Sequence, residues 1–176
     1  MKKTNTHQMV KIAFLTTLSV ILFLLELPMP GVPLQFDLSD LPVVLGGVLF
    51  GPGAVITIAL LKNILHILFI SKNAGFVGEL ANFAYAVAIA MPFALAYKYT
   101  SLTKLQTVMV AILSILLSSL FMHVFNYYVT FPLYGLSQVG AWTVLKTTFL
   151  PFNLIKGAIL MGLFVVLKPF FDRMIH

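Results

Sequence analysis

The segment PFNLIKGAIL, residues 151–160, lies in a long apolar run and places Asn153 and Lys156 three residues apart. On a helix, that spacing puts both side chains on one face. Glu79 and Asn82 repeat the spacing, Asn126 stands alone, and Lys62 and His66 are four apart. An ionisable side chain at bilayer depth costs about 2.5–3.5 kcal/mol on insertion scales, so each needs a partner, an aqueous cavity or a route to the interface. The chemistry these groups support is hydrogen bonding and charge pairing, not bond breaking. The sequence has no GxxxxGK[ST] loop for nucleotide phosphates and no HExxH pair, and its four histidines (7, 66, 123 and 176) are scattered. Without cysteine there is no thiolate nucleophile or thiolate metal site. Catalysis, a resident cofactor and a metal site are therefore not expected.

The elements that must position these residues are membrane helices. The chain has 176 residues, 60% hydrophobic and 9% charged, against about 45–50% and 25% in a soluble domain. Its net charge of +6 does not point to nucleic acid, because the basic residues stand in ones and twos at the ends of apolar runs. A crossing needs about 20 apolar residues. Helices are expected at about 9–27, 54–70, 78–97, 108–129 and 148–168. The first run follows lysines but ends in ELPMPG without a small-residue cleavage site, and is read as a retained helix, not a signal peptide. Between Pro42 and the Gly51–Pro52–Gly53 break lies a short, glycine-bearing helix. Such a segment either lines a binding site or is simply packed through Gly46 and Gly47. Alternation in VPLQFDL marks an extended piece in the first loop.

Six crossings put Lys2, Lys3, Lys11, Lys98, Lys104, Lys168 and Arg173 on one side and Lys72 and Lys146 on the other. By the positive-inside rule both termini are cytoplasmic. The expected fold is a single all-α integral membrane domain, residues 1–176, with six transmembrane helices, a short second helix and a structured first extracellular loop.

In that arrangement Glu79, Asn82, Asn126, Asn153 and Lys156 converge on the outer half. Each has a plainer account: Lys156 could snorkel, Glu79 could favour a helix N-terminus, and the asparagines could join helices. Lys62 and His66 are deeper and are assigned a structural role. Taken together, three amides, a lysine and a carboxylate on one side describe a site open to the exterior. Tyr127, Tyr128, Phe131, Tyr134 and Phe152 accompany them in sequence. Aromatic walls beside amides suit a flat heterocycle, although an interfacial aromatic belt accounts for some of these residues in any case.

Four stretches then carry a resemblance: DLSDLPVVLGGVLFGPGAVITIALLKNILHILFIS, GELANF, NYYVTFPLYG and PFNLIKG. In this order and spacing, the chain from its first helix to about residue 165 resembles the riboflavin-specific S components of energy-coupling factor (ECF) transporters. The resemblance implies six helices with both termini inside and riboflavin as transported ligand, captured outside the cell. It implies delivery inward with an EcfT-type membrane coupling subunit and two cytoplasmic ATPases, in a bacterial-type plasma membrane. Asn126, Asn153 and Lys156 would contact the flavin. Glu79, Asn82 and Tyr127 are secondary candidates, and Leu38, Asp40 and Leu41 of the first loop would cap the pocket. Ala13 and Thr17 match the small positions that meet the coupling subunit, with threonine in place of the usual second alanine. Two other readings stand beside this one: an S component for another vitamin such as pantothenate, whose carboxylate Lys156 could pair, and a stand-alone secondary transporter.

Overall fold

The structure, a computed structural model, describes residues 6–29, 34–69, 75–136 and 139–175. Lys2, Lys3, Lys72 and the Arg173 side chain, which entered the charge count, lie outside the described residues.

Helix α1, Thr6–Phe23, stops short of the expected residue 27. Pro28 excludes helix at Leu27, and the last turn has already tightened before it, with the Leu25 N–H on the Leu22 carbonyl at 3.3 Å and the Glu26 N–H on the Phe23 carbonyl at 3.1 Å. Leu27–Pro28 instead forms β1, antiparallel to β2, Gln35–Phe36, with Leu27 opposite Phe36 and Pro28 opposite Gln35. The extended piece expected in VPLQFDL is thus the second strand of a small ladder.

Helix α2, Asp40–Phe50, has 11 residues and is about 16 Å long at 1.5 Å per residue. It starts earlier than expected because Pro42 is tolerated in a first turn. It ends where Gly51 adopts φ +85° and returns its N–H to the Gly47 carbonyl at 2.9 Å, a conformation that disfavours any β-carbon. Pro52 then opens α3, Pro52–Phe69, and α4 is Gly75–Tyr99.

The last two helices are longer than expected. Helix α5 runs Lys104–Leu133 and is capped by Thr103, whose hydroxyl and backbone exchange hydrogen bonds with Gln106. It passes through a π-helical stretch at Asn126–Thr130. Helix α6 starts at Ala141–Val144, passes through a second π-helical stretch at Leu145–Phe149 and continues as Leu150–Ile175. Residues 141–147 read as loop because of their polar Thr143, Lys146 and Thr147. All three face outward, while Ala141, Leu145 and Phe149 pack inward at four-residue intervals.

Five of these helices are long and apolar enough to cross a membrane, and α2 is the shorter apolar one. The burial pattern is that of a membrane protein. On α5 the exposed side chains include Ile112, Leu113, Leu116, Leu117 and Leu120, whereas Ser114, Ser118 and Ser119 are buried. Lipid solvates the apolar face, so serines go to the interior, where they permit close helix approach. Helix α4 is the central post, packed on α2, α3 and α5. Its Ala86, Ala90 and Ala94 are buried, and a β-carbon on Gly47 would meet Val55 at 2.6 Å and Ala94 at 3.1 Å. Val43, Val55, Ile58, Ile89, Phe93, Leu160 and Phe164 complete this dry core.

Candidate functional site

A cavity of about 300 Å³ lies between the β-ladder and helices α4, α5 and α6, at the lower end of the range for small-molecule sites. The ladder contributes Pro28 and Gln35, with Leu34 beside them, and α1 contributes Phe23. Helix α4 presents Glu79, Asn82 and Tyr85; α5 presents Met122, Asn126 and Thr130; α6 presents Phe149, Phe152, Asn153 and Lys156. The π-helical stretches matter here. A π-turn adds a residue to the helical repeat, and in these two stretches the buried residues are four apart, Asn126 with Thr130 and Leu145 with Phe149. Three of those four reach the cavity wall.

Five of the nine ligand-site residues picked from sequence therefore meet at one cavity: Glu79, Asn82, Asn126, Asn153 and Lys156. The other four stand behind it. Leu38 and Leu41 pack against the helix core, and Asp40 is fully buried beside the lysines. Tyr127 stacks on Trp142, centroids 4.6 Å apart, because the turn of α5 carries its ring away from Asn126. Ala13 and Thr17 are exposed on α1, and the Thr17 hydroxyl returns to the Ala13 carbonyl at 3.0 Å.

Lys156 does not snorkel. Its Nζ donates to Asp37 Oδ2 at 2.8 Å and lies 3.5 Å from Asp40 Oδ2 and 5.0 Å from the centroid of the Tyr85 ring. Lys62 donates to Asp40 Oδ1 at 2.5 Å and to Ser39 Oγ at 2.6 Å. The Ser39 N–H donates to Asp37 Oδ1 at 2.9 Å, its hydroxyl donates to the same oxygen, and the Ser19 hydroxyl donates to the Ser39 carbonyl. Two lysines thus balance two aspartates in a buried cluster that ties the segment after β2 to α1, α3 and α6. Burial alone would push the Asp37 carboxyl up. The Lys156 and Lys62 ammonium groups, with the hydrogen bonds from Lys156 and Ser39, overcome this and hold it well below the usual carboxylate range.

Asp37 was missed as a site residue. The signal was available: an intramembrane lysine requires a counter-charge, and the chain has only five carboxylates. Lys62 and His66 do join elements, as their assigned structural role requires. His66 Nδ1 lies 2.6 Å from Glu79 Oε1, and Phe23 stacks on the imidazole at 3.8 Å.

Within the protein, Glu79 Oε2, Asn82 Oδ1, Thr130 Oγ1 and Asn153 Nδ2 are buried without hydrogen-bond partners. Buried polar atoms are rarely left so. All four residues line the cavity, beside the rings of Phe23, Tyr85, Tyr134, Phe149 and Phe152. The arrangement can take a flat ring system bearing hydroxyl or amide-like groups. It supplies both acceptors and donors, and its wall lysine is already neutralised.

The chain matches known proteins over nearly its whole length. The family model described as "ECF transporter, substrate-specific component" matches residues 7–168. The chain is 29% identical over 187 residues to "Riboflavin transporter FmnP" of Bacillus subtilis (strain 168), covering 96% of each chain. It is 30% identical over 177 residues to "Riboflavin transporter RibU" of Staphylococcus aureus (strain TCH60), covering 94% of this chain and 92% of the other. A solved structure described as "Structure and mechanism of the S component of a bacterial ECF transporter" superposes with a TM-score of 0.82 at 28% identity, over 97% of this chain and 98% of that one.

Proposed function

The chain belongs to the family of substrate-specific components of ECF transporters, and on that premise we infer that it is the riboflavin-binding subunit of such a transporter. The observation that carries the reading is the cavity itself. Its unpartnered amide, hydroxyl and carboxylate atoms sit among five aromatic rings, in a chain whose full-length relatives include riboflavin transporters. The isoalloxazine ring would lie between the aromatic walls, with Asn126, Asn153, Glu79, Asn82 and Thr130 taking its polar edge and ribityl hydroxyls. Lys156 would contribute a remaining N–H while holding Asp37. Asp40, Leu38 and Leu41 would act indirectly, by seating the segment after β2, and Tyr127 by packing on Trp142.

The whole chain would act as one six-helix unit in the cell membrane, with α2 as the short second crossing. Both termini would be cytoplasmic, and the β-ladder and cavity would face outside. The exposed Ala13 and Thr17 of α1 would meet a membrane coupling subunit, whose two ATPases drive release inward. A pantothenate site is disfavoured by the paired state of Lys156: a ligand carboxylate would have to compete with Asp37 at 2.8 Å.

The test is titration of detergent-purified protein with riboflavin, followed by flavin fluorescence. Stoichiometric quenching is expected, as is a yellow preparation when flavin co-purifies. Unchanged flavin fluorescence at protein excess overturns the reading.

A further inference from the structure

We propose that Glu26 and His66 are positioning residues of the ligand cavity that share one proton, and that ligand binding weakens when that proton is lost. The proposal rests on the reading of the cavity as the flavin site.

Neither residue lines the cavity, yet together they hold three of its walls. His66 is buried on α3, its Nδ1 2.6 Å from the Glu79 carboxylate and its ring stacked on Phe23. Glu26 lies between α1 and β1 and accepts a hydrogen bond from Gln35 Nε2 at 3.2 Å. Glu79, Phe23 and Gln35 are all wall residues. Between the two holders, Glu26 Oε2 and His66 Nε2 face each other at 4.0 Å. Both atoms are buried without a hydrogen-bond partner.

With Nδ1–H donated to Glu79, a neutral imidazole turns the Nε2 lone pair toward the Glu26 carboxylate. Two acceptors then oppose each other in a poorly solvated place. One proton, on either atom, converts the opposition into a charge-assisted hydrogen bond. Burial pushes the Glu26 carboxyl above its usual range; the His66 imidazole draws it down, and the Asp37 and Glu79 carboxylates push it up again. The other charged groups around the pair are Lys62, one turn back on α3, Asp40 at the start of α2, and Lys156 on α6. Lys62 is already committed to Asp40 at 2.5 Å and Lys156 to Asp37 at 2.8 Å.

The sign follows. The bridging proton is present at lower pH and lost as pH rises. Its loss separates Glu26 from His66, carrying Gln35 and the ladder away from the cavity and releasing the orientation of Glu79. Affinity for the ligand therefore falls on the alkaline side.

The test measures the riboflavin dissociation constant by fluorescence quenching between roughly pH 5.5 and 8.5, against free flavin at each pH. Wild-type affinity is expected to fall by up to about tenfold for each pH unit once the shared proton is being lost, the slope of a single linked proton. Glu26→Gln is the decisive variant. Its amide N–H donates to His66 Nε2 at every pH while its carbonyl still accepts from Gln35, so binding stays tight and the profile is flat. His66→Gln is also expected to be flat, and Glu26→Ala weak throughout. A flat wild-type profile overturns the proposal, and so does a Glu26→Gln profile that keeps the wild-type slope. Wild-type protein that quenches flavin at no pH overturns the flavin reading instead, an outcome distinguishable from the other two.

Discussion

Lys156 is buried, forms part of the cavity wall and holds Asp37 at 2.8 Å. Removing one member of a buried pair strands the other charge, at a cost of about 3–5 kcal/mol, whereas removing both is often nearly neutral. Lys156→Met is therefore expected to lower the thermal midpoint in detergent sharply, and the double variant Asp37→Asn/Lys156→Met to recover most of the loss. Equal midpoints for the single and double variants would show that the two charges are not coupled. Asn153 presents the opposite case. Its side-chain Nδ2 has no partner inside the protein, so Asn153→Ala should leave the midpoint unchanged. Loss of a ligand hydrogen bond of about 1–3 kcal/mol should weaken riboflavin binding roughly five- to hundredfold. At this scale the sequence was informative wherever a polar residue interrupts an apolar run. Asn126, Asn153 and Lys156 stand out for that reason. Asp37 did not, because a carboxylate in a polar loop looks ordinary until the fold buries it.

Helix α2 is short for a crossing, and its value lies in how closely it approaches α3 and α4. Gly47 is the point of contact: an added β-carbon would press on Val55 at 2.6 Å and on Ala94 at 3.1 Å. Gly47→Val should destabilise the protein by about 1–3 kcal/mol through overpacking, read as a lower thermal midpoint. It should also slow or weaken flavin binding, because Asp40 begins the same helix and steadies the lysines. An unchanged midpoint would mean that α2 can shift away from α4 at no cost. The π-helical stretches belong to this scale too. Nothing in NYYVT or LKTTF distinguishes a π-turn from an α-turn by composition. The extra residue per turn is set by packing, here by Asn126 and Thr130 turning inward together.

For the whole molecule, the exposed surface is apolar along α1 and α5, with Met9, Phe14, Ile21 and Leu120 among the outward side chains. Much of that surface meets lipid. The proposed coupling surface is the strip through Ala13 and Thr17, where side chains are small enough for another helix to lie close. Ala13→Leu should leave riboflavin titration unchanged and reduce recovery of the complex when the chain is co-purified with its coupling subunit. Undiminished recovery would remove this strip from the interface. The division of labour is coherent: the cavity is built mainly by α4, α5, α6 and the ladder, with Phe23 from the end of α1, and the strip lies further back on α1. The buried cluster of Asp37, Ser39, Asp40, Lys62 and Lys156 connects the two halves.

By itself the sequence determined the solvent and the approximate course of the long helices. Apolar runs of about 20 residues can be stable only as helices in lipid, and the Gly51–Pro52 break marks where the short helix gives way to the next one. It also identified the polar residues whose burial had to be explained. Tertiary structure alone decided their partners. Lys156 could have snorkelled or met a ligand carboxylate, but the return of the chain after β2 brings Asp37 to it across 119 positions. Tyr127 follows Asn126 directly, yet it packs on Trp142 while Asn126 lines the cavity, because neighbouring residues on a helix point about 100° apart. Local pattern sets which side chains face inward; which of them meet depends on how helices far apart in the chain pack, and no short window of sequence contains that information.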